Sequence, residues 1–179
     1  MASALFVDGS VNPQMRVGFG AYYVIKSHQL DRACRPTGSD ASITDSPLDT
    51  LLPGSAPIQL RRFEQTSSTQ LELEALLWAL EQHPVGETIT VYTDCQNVVG
   101  LPARRRRLEA KNFCSAKGEP LALAALYRRF FEHCDNQTIA FIKLEGHKPA
   151  NQRTVLDQLF SRVDRAARQA CKSLRAEQR

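Results

Sequence analysis

The order of the apolar segments constrains the fold more than any other feature of this sequence. Three segments with strand character come first, and then a helix, a strand, one or two helices, a strand and a long final helix. These segments are residues 4–10, 18–26, 58–65, 70–83, 88–93, 95–101, 119–134, 137–144 and 151–174. The first three strands are close enough for an antiparallel meander, whereas strands separated by helices are expected to pair in parallel on one sheet. The order predicts an α/β fold with a mixed five-stranded sheet flanked by helices.

The length of 179 residues predicts a single domain that spans residues 1–179. Residues 27–57 differ from the rest, because Ser, Thr, Asp, Pro and Gly dominate there and little periodicity is evident. We interpret this stretch as a surface insertion. No apolar run approaches the ~18 residues that a membrane span needs, so no membrane segment is expected.

The five cysteines are widely spaced, and none forms a CxxC pair. This pattern is typical of reduced thiols in a cytoplasmic protein and argues against a zinc site or a disulfide framework. The formal net charge is +4. The first sixty residues carry four Lys/Arg and five Asp/Glu. The excess positive charge therefore lies in the later part of the chain and makes polyanions candidate partners.

Two predicted strands, ALFVD and ITVYTD, end in an aspartate, Asp8 and Asp94. In open α/β sheets the carboxyl ends of the strands form the ligand crevice, so neighbouring strands would bring both carboxylates to one site. Two carboxylates at such a rim repel each other unless a cation neutralises them. Oxygen ligands suit Mg²⁺ or Mn²⁺ better than zinc. The alternative is that each aspartate only caps the turn or helix after its strand.

Five motifs occur in a fixed order along the chain. They are Asp8-Gly9-Ser10, residues 68–73 (STQLEL), residues 93–96 (TDCQ), Gly146-His147 and residues 163–168 (VDRAAR). In this order the sequence resembles the type 1 ribonuclease H family, over nearly the whole chain apart from residues 27–57. The resemblance implies a ribonuclease H-like fold and a metal-dependent endonuclease that cuts the RNA strand of RNA–DNA hybrids.

The resemblance also implies a catalytic set that consists of Asp8, Glu72, Asp94, Asp164 and His147. The four acids would hold two Mg²⁺ ions, with Mn²⁺ as a substitute. One ion would activate the attacking water and the other would stabilise the leaving 3′-oxygen. His147 would carry a proton or help the product leave.

Two of these assignments have alternatives within the same helix. Glu72 and Glu74 lie on a helix that is apolar on both faces, so periodicity does not choose between them, and the family's spacing favours Glu72. The last acid is Asp157 or Asp164. Asp157 keeps the shorter distance from His147 that is common in the family, whereas Asp164 precedes the better match to the family's Arg-containing pattern and is preferred.

The family's nucleic-acid contacts carry over to two regions. Asn12 and Gln96 match positions that touch the minor groove of the hybrid, whose 2′-hydroxyls distinguish RNA. Ser68 and Thr69 stand where the family often has asparagines. The basic run Arg104, Arg105, Arg106 and Arg107 falls where many members carry a protrusion that grips the DNA strand. The alternative for this run is a solvated charge cluster.

We therefore expect a metal-dependent endoribonuclease that is specific for RNA–DNA hybrids. One alternative is a nuclease on the same fold with a different nucleic-acid substrate. Another is a non-catalytic nucleic-acid-binding module, although a pure binder gains nothing from four acids that face a polyanion. A phosphatase is disfavoured because no phosphate-cradling glycine loop is present. The sequence indicates no protein partner, and we expect a monomer.

Overall fold

The computed structural model describes residues 2–35, 57–145 and 153–176, and these contain one five-stranded sheet. Its strands are β1 (Ala2–Asn12), β2 (Val17–Lys26), β3 (Gln59–Phe63), β4 (Thr88–Thr93) and β5 (Thr138–Lys143). The order across the sheet is β3-β2-β1-β4-β5. The first three strands are antiparallel, and β1, β4 and β5 are parallel. The predicted mixed sheet, with its meander and parallel pair, is confirmed.

Helices cover both faces of the sheet. They are α1 (Ser27–Cys34), α2 (Ser68–Leu80), α3 (Gln96–Val99), α4 (Leu101–Ala110), α5 (Ala124–Asn136) and α6 (Val155–Ala176). Alternate residues of β1 point to opposite faces. Leu5 and Val7 pack in a core with α2 and α5, whereas Ala4 and Phe6 pack in a second core with α1 and α6.

Helix α2 lies unusually close to the sheet. It begins after Ser67, whose hydroxyl accepts a hydrogen bond from the Gln70 amide, as expected of an N-cap. The sheet beneath it carries glycines, and a Cβ on Gly18 would stand 2.5 Å from Leu71 Cδ2. A side chain there would push the helix outwards, so this glycine sets how deeply the start of α2 sits at the sheet.

The first part of the stretch 27–57, which the sequence predicts to be a surface insertion, is helical. Residues Ser27–Cys34 form α1, and Leu30 is buried in the core between the sheet and α6. This single buried residue in a polar helix leaves too weak a periodic pattern to recognise. Residues 36–56 lie outside the described residues, and the insertion there stays a prediction.

Smaller differences concern the helix boundaries. The predicted segment 95–101 is divided between α3 and α4, and Pro102 stands in the first turn of α4, where proline is tolerated because its missing N–H would be unpaired anyway. Helix α5 begins at Ala124 rather than at residue 119. In the described ranges, none of the helices combines the length and apolarity needed to cross a membrane.

Candidate active site

Four acidic side chains from four elements meet where β1 and β4 approach their ends, a place called here the carboxyl edge. The parallel pairing of β1 and β4 runs as far as Phe6 and Tyr92. Asp8 and Asp94 each lie two residues beyond that pair, so the register of the sheet puts them side by side. Glu72 joins them from the first turns of α2 and Asp164 from the middle of α6.

The electrostatics of these four carboxylates show that they share one site. Burial, together with the charges of Glu72, Asp94 and Asp164, raises the pKa of Asp8 to about 9, against a lowering hydrogen bond from the Gly9 amide. Burial likewise raises the pKa of Glu72 to about 8, with the same direction from Asp94 and Asp164. A group of mutually repelling acids is the arrangement that a cation relieves.

The acids differ in their access to solvent. Asp8 is only 6% exposed, Glu72 and Asp164 are half-buried, and Asp94 is exposed. A Cβ on Gly9 would stand 2.9 Å from Leu71 Cγ, so the glycine next to Asp8 lets the start of α2 approach β1. The site is therefore walled by the sheet on one side and open on the other, as a site for a large substrate must be.

The donor set fits a hard divalent cation, because it consists of carboxylate oxygens alone. Among the described residues, no three His, Cys, Asp or Glu side chains are grouped closely enough to hold a metal ion as they stand.

The two alternative acids have structural partners instead. Glu74 accepts hydrogen bonds from the Thr66 hydroxyl and the Gln70 amide group, both at 2.8 Å. Asp157 accepts hydrogen bonds from the Thr154 amide and hydroxyl, both at 2.8 Å, and so caps the start of α6. Both acids hold helix α2 or α6 in place, and neither acts on the pKa of Asp8 or Glu72.

The remaining predicted residues fall into three groups. His147 lies outside the described residues, so its role stays a prediction. Asn12 is only 3% exposed, and its Oδ1 accepts a hydrogen bond from the Gln14 amide in the β1–β2 turn. The structure therefore does not present Asn12 on the surface. Ser68, Thr69 and Gln96 are exposed at the starts of α2 and α3.

A cleft of about 230 Å³ lies between α2, α3, α4 and α5. It brings Thr69 and Arg104 together, although they are 35 positions apart in the sequence. Its other lining residues are Leu73, Asn97, Val98, Leu101, Leu123 and Tyr127. The sequence offered no signal for Asn97, Leu123 or Tyr127, because only the packing of four helices places them in one wall.

The four arginines of the basic run do not behave alike. Arg104 donates to the Asn97 carbonyl at 2.6 Å. Arg105 is bound to both carboxylate oxygens of Asp135 at 2.6 and 2.8 Å and to Glu109 at 2.7 Å. Arg106 and Arg107 are exposed. The first two arginines therefore join α4 to neighbouring elements, and the last two face solvent.

One residue near the carboxyl edge received no role from the sequence. Arg168 Nε lies 2.6 Å from Asp164 Oδ1. The spacing of four between Asp164 and Arg168 was a usable signal, because residues four apart on a helix lie on the same face. In the sequence, Arg168 counted only as part of the family's Arg-containing pattern after Asp164.

Comparisons with known proteins agree with this architecture. The solution structure of the PFV RNase H domain matches with a TM-score of 0.65 at 14% identity, covering 96% of this chain and 94% of that one. LC9-RNase H1, a type 1 RNase H with the type 2 active-site motif, matches with a TM-score of 0.64 at 14% identity, covering 96% and 72%. A search of curated proteins finds no match. The sequence profile of the RNase H family matches residues 1–172, and the chain therefore belongs to the RNase H family.

Proposed function

We propose that this protein is a divalent-metal-dependent endoribonuclease that hydrolyses the RNA strand of RNA–DNA hybrids. Membership of the RNase H family supports a nuclease that acts on such hybrids. The metal dependence and the roles of individual residues are our proposal. The observation that carries it is the convergence of Asp8, Glu72, Asp94 and Asp164, whose charges raise the pKa of the most buried members.

The four carboxylates would hold two Mg²⁺ or Mn²⁺ ions. When bound, such ions activate a water molecule and offset the charge that develops at phosphorus. Asp8 and Glu72, which are held rigidly by β1 and α2, would supply the fixed part of the ligand set. Asp94, at the exposed rim, would complete it on the side from which the substrate enters. Bound cations would relieve the repulsion among the four carboxylates.

Nucleic acid would reach the site across exposed residues. Ser68 and Thr69, at the start of α2, lie within four residues of Glu72 and can hydrogen-bond 2′-hydroxyls or phosphates. Gln96 follows Asp94 by two residues. Arg106 and Arg107 extend the surface on α4 and would contact phosphates without reading sequence.

The proposal is tested with an end-labelled 20-mer RNA–DNA hybrid. RNA duplex, DNA duplex and single-stranded RNA serve as substrate controls, each in Mg²⁺, in Mn²⁺ and in EDTA. Asp94→Asn is the matched variant, because it removes one charge from the exposed rim without changing the shape of the side chain. We expect metal-dependent cleavage of the RNA strand of the hybrid only, and a loss of at least ~10³-fold in the variant.

Hybrid binding by Asp94→Asn should equal or exceed that of the unaltered protein, since one negative charge no longer faces the phosphates. Cleavage that persists in EDTA would contradict the metal requirement, and cleavage that persists in the variant would remove Asp94 from the site. Cleavage of another nucleic acid would keep the nuclease and change the substrate. Salt-sensitive binding without any cleavage would indicate a binding module.

A further inference from the structure

Arg168 is a cation in contact with the carboxylate cluster. Its Nε lies 2.6 Å from Oδ1 of Asp164, one turn earlier on α6. The Asp164 side chain is 25% exposed and the Arg168 side chain 50%. The acid precedes the base by four residues, which is the favourable orientation for an ion pair on a helix.

Stability alone gives little reason for this ion pair. Exposed pairs at this spacing contribute about 0.3–0.5 kcal/mol. Helix α6 is already held by buried residues on the same turns, Val163 and Ala167, and by the Thr154–Asp157 cap. The effect of the pair falls on Asp164 itself, which the repulsion from Asp8, Glu72 and Asp94 would otherwise turn towards solvent.

The guanidinium of Arg168 restrains the carboxylate of Asp164 at Oδ1. A carboxylate with one oxygen restrained has lost most of its rotational freedom before any cation arrives. Partners that orient a metal-binding side chain in this way commonly change metal affinity 10- to 100-fold when removed.

We propose that Arg168 is a positioning residue that holds the carboxylate of Asp164 through Oδ1 and so orients it for a divalent cation. This inference rests on the proposed function, since it concerns the same four carboxylates. Arg168 itself need not touch the cation or the nucleic acid.

Arg165 supplies a matched control on the same helix. It is exposed, it follows Asp164 directly, and in the part of the chain that the structure describes it has no ion pair. Arg165→Gln removes the same charge close to the site without releasing Asp164. Arg168→Lys keeps the charge but replaces the planar guanidinium by an ammonium that makes a less directional contact.

The first measurement is calorimetric titration of Mg²⁺ into the full-length protein without nucleic acid. Arg168→Gln should weaken Mg²⁺ binding by about 10-fold or more. The Mg²⁺ affinity of Arg168→Lys should lie between those of Arg168→Gln and the unaltered protein. Arg165→Gln should bind Mg²⁺ as the unaltered protein does. The melting temperature in EDTA should change by no more than about 2 °C in any of the three, since the pair contributes less than 1 kcal/mol.

The second measurement is a double-mutant cycle with Asp164→Asn. If Arg168 acts through Asp164, adding Arg168→Gln to Asp164→Asn causes no further loss of Mg²⁺ affinity. In cleavage assays the Mg²⁺ concentration at half-maximal rate should rise, while KM for the hybrid stays unchanged.

Three outcomes would overturn the inference. The first two are unchanged and tighter Mg²⁺ binding in Arg168→Gln. The third is a double variant whose loss of Mg²⁺ affinity equals the sum of the losses in the two single variants. A rise in KM alone would make Arg168 a phosphate contact instead. Failure of the proposed function is recognised separately, because the unaltered protein would then bind no Mg²⁺ or cleave no hybrid.

Discussion

Buried acids at the two ends of the sheet have opposite electrostatic surroundings. At the carboxyl edge, Asp8 and Glu72 face further acids. At the other end, called here the amino edge, Glu87 stands just before β4 and is 7% exposed. Its Oε1 accepts a hydrogen bond from the Ser3 hydroxyl at 2.8 Å, and its Oε2 lies 2.9 Å from His83 Nδ1. Lys26 Nζ lies 3.4 Å from Oε1.

The pKa values follow these surroundings. Burial opposes ionisation of Glu87, but the hydrogen bonds from His83 and Ser3 and the charges of His83 and Lys26 outweigh it, so the pKa is lowered. The pKa values of Asp8 and Glu72 rise because burial is reinforced by like charges. At the amino edge, the hydrogen bonds and charges around Glu87 make this acid stabilise the fold. Asp8 and Glu72 at the carboxyl edge are buried beside further acids, and this costs stability, which indicates that they serve a function.

The largest expected effect is a difference in hybrid cleavage between variants of two aspartates on α6, Asp164 in the carboxylate cluster and Asp157 in the helix cap. Asp164→Asn should reduce hybrid cleavage by ~10³-fold or more and change the melting temperature by no more than about 2 °C, because for stability it removes only the partly exposed ion pair with Arg168. Asp157→Asn should retain most cleavage and lose about 1 kcal/mol of unfolding free energy, because it weakens the cap on α6. Cleavage rates and thermal melts of both variants make the comparison. The reverse order would reassign the fourth ligand to Asp157.

Removal of Glu87 should produce the largest loss of stability. Glu87→Ala leaves the Ser3 hydroxyl and the buried His83 ring without their acceptor, at a cost of about 2–4 kcal/mol. The melting temperature should fall on the order of 10 °C at pH 7, with cleavage at low temperature unchanged. Glu64→Ala is the control, because Glu64 is exposed and pairs only with Arg62 on the surface.

The pH dependence of this loss follows from the lowered pKa. Glu87 contributes stability above its unfolded-state pKa of about 4.5, and the contribution disappears as the pH falls through the lower pKa of the folded state. The penalty of Glu87→Ala should therefore shrink below pH ~4. A penalty that stays constant down to pH 3 would show that packing, rather than charge, makes Glu87 important.

The opposite sign is expected at the carboxyl edge. Folding raises the pKa of Asp8 from 3.8 to about 9, so its favourable contribution is complete below the unfolded value and is lost as the pH rises through the folded value. Asp8→Asn should have little effect on the melting temperature near pH 4. In EDTA at pH 8 it should raise the melting temperature by several degrees, about 1–3 kcal/mol.

Two controls sharpen this test. Asp31→Asn changes an exposed aspartate on α1 and should leave the melting temperature unchanged at both pH values. Mg²⁺ should stabilise the unaltered protein and have less effect on Asp8→Asn, because a ligand that binds only the folded state stabilises it. A melting temperature that falls in Asp8→Asn at pH 8 would mean that the Asp8 charge is compensated in the folded protein.

The smallest expected effect distinguishes two neighbouring arginines of the basic run. Arg105→Gln breaks contacts to Glu109 and Asp135 and should lower the unfolding free energy by about 1 kcal/mol or less. The salt dependence of hybrid binding should be the same in Arg105→Gln as in the unaltered protein. Arg106→Gln should leave stability unchanged and reduce the slope of log K against log salt by about 1. Thermal melts and binding at three salt concentrations give both quantities; equal slopes for the two variants would show that the run acts as one cluster.

Much of this architecture could be predicted from local patterns. The strand Thr88–Thr93 lies where its β-branched and aromatic residues predict it, and β5 and α2 differ by a few residues at their ends. The strands β1 and β4 place Asp8 and Asp94 together because each strand keeps its register up to its last residues. The order of the elements was enough to predict which strands are parallel.

Helix α1 and the division of roles among similar residues were not predictable in this way. Glu72 and Glu74 lie on the same apolar helix, and only the positions of Thr66 and Gly9 against that helix separate them. Asn12 looked like a surface contact, but the turn after β1 uses its side chain and buries it. Arg105 differs from Arg106 through Glu109 on the same helix and through Asp135 on α5, thirty residues away.

The sequence by itself determined the mixed sheet and the parallel strands that bring Asp8 and Asp94 together, because periodicity and element order act over short distances along the chain; the resemblance to the family supplied Glu72 and Asp164 as candidates. Only the tertiary structure decided which acids lie near one another and which ones cap a helix. Those outcomes depend on burial and on charges from distant elements, and neither can be read from a residue's neighbours in sequence.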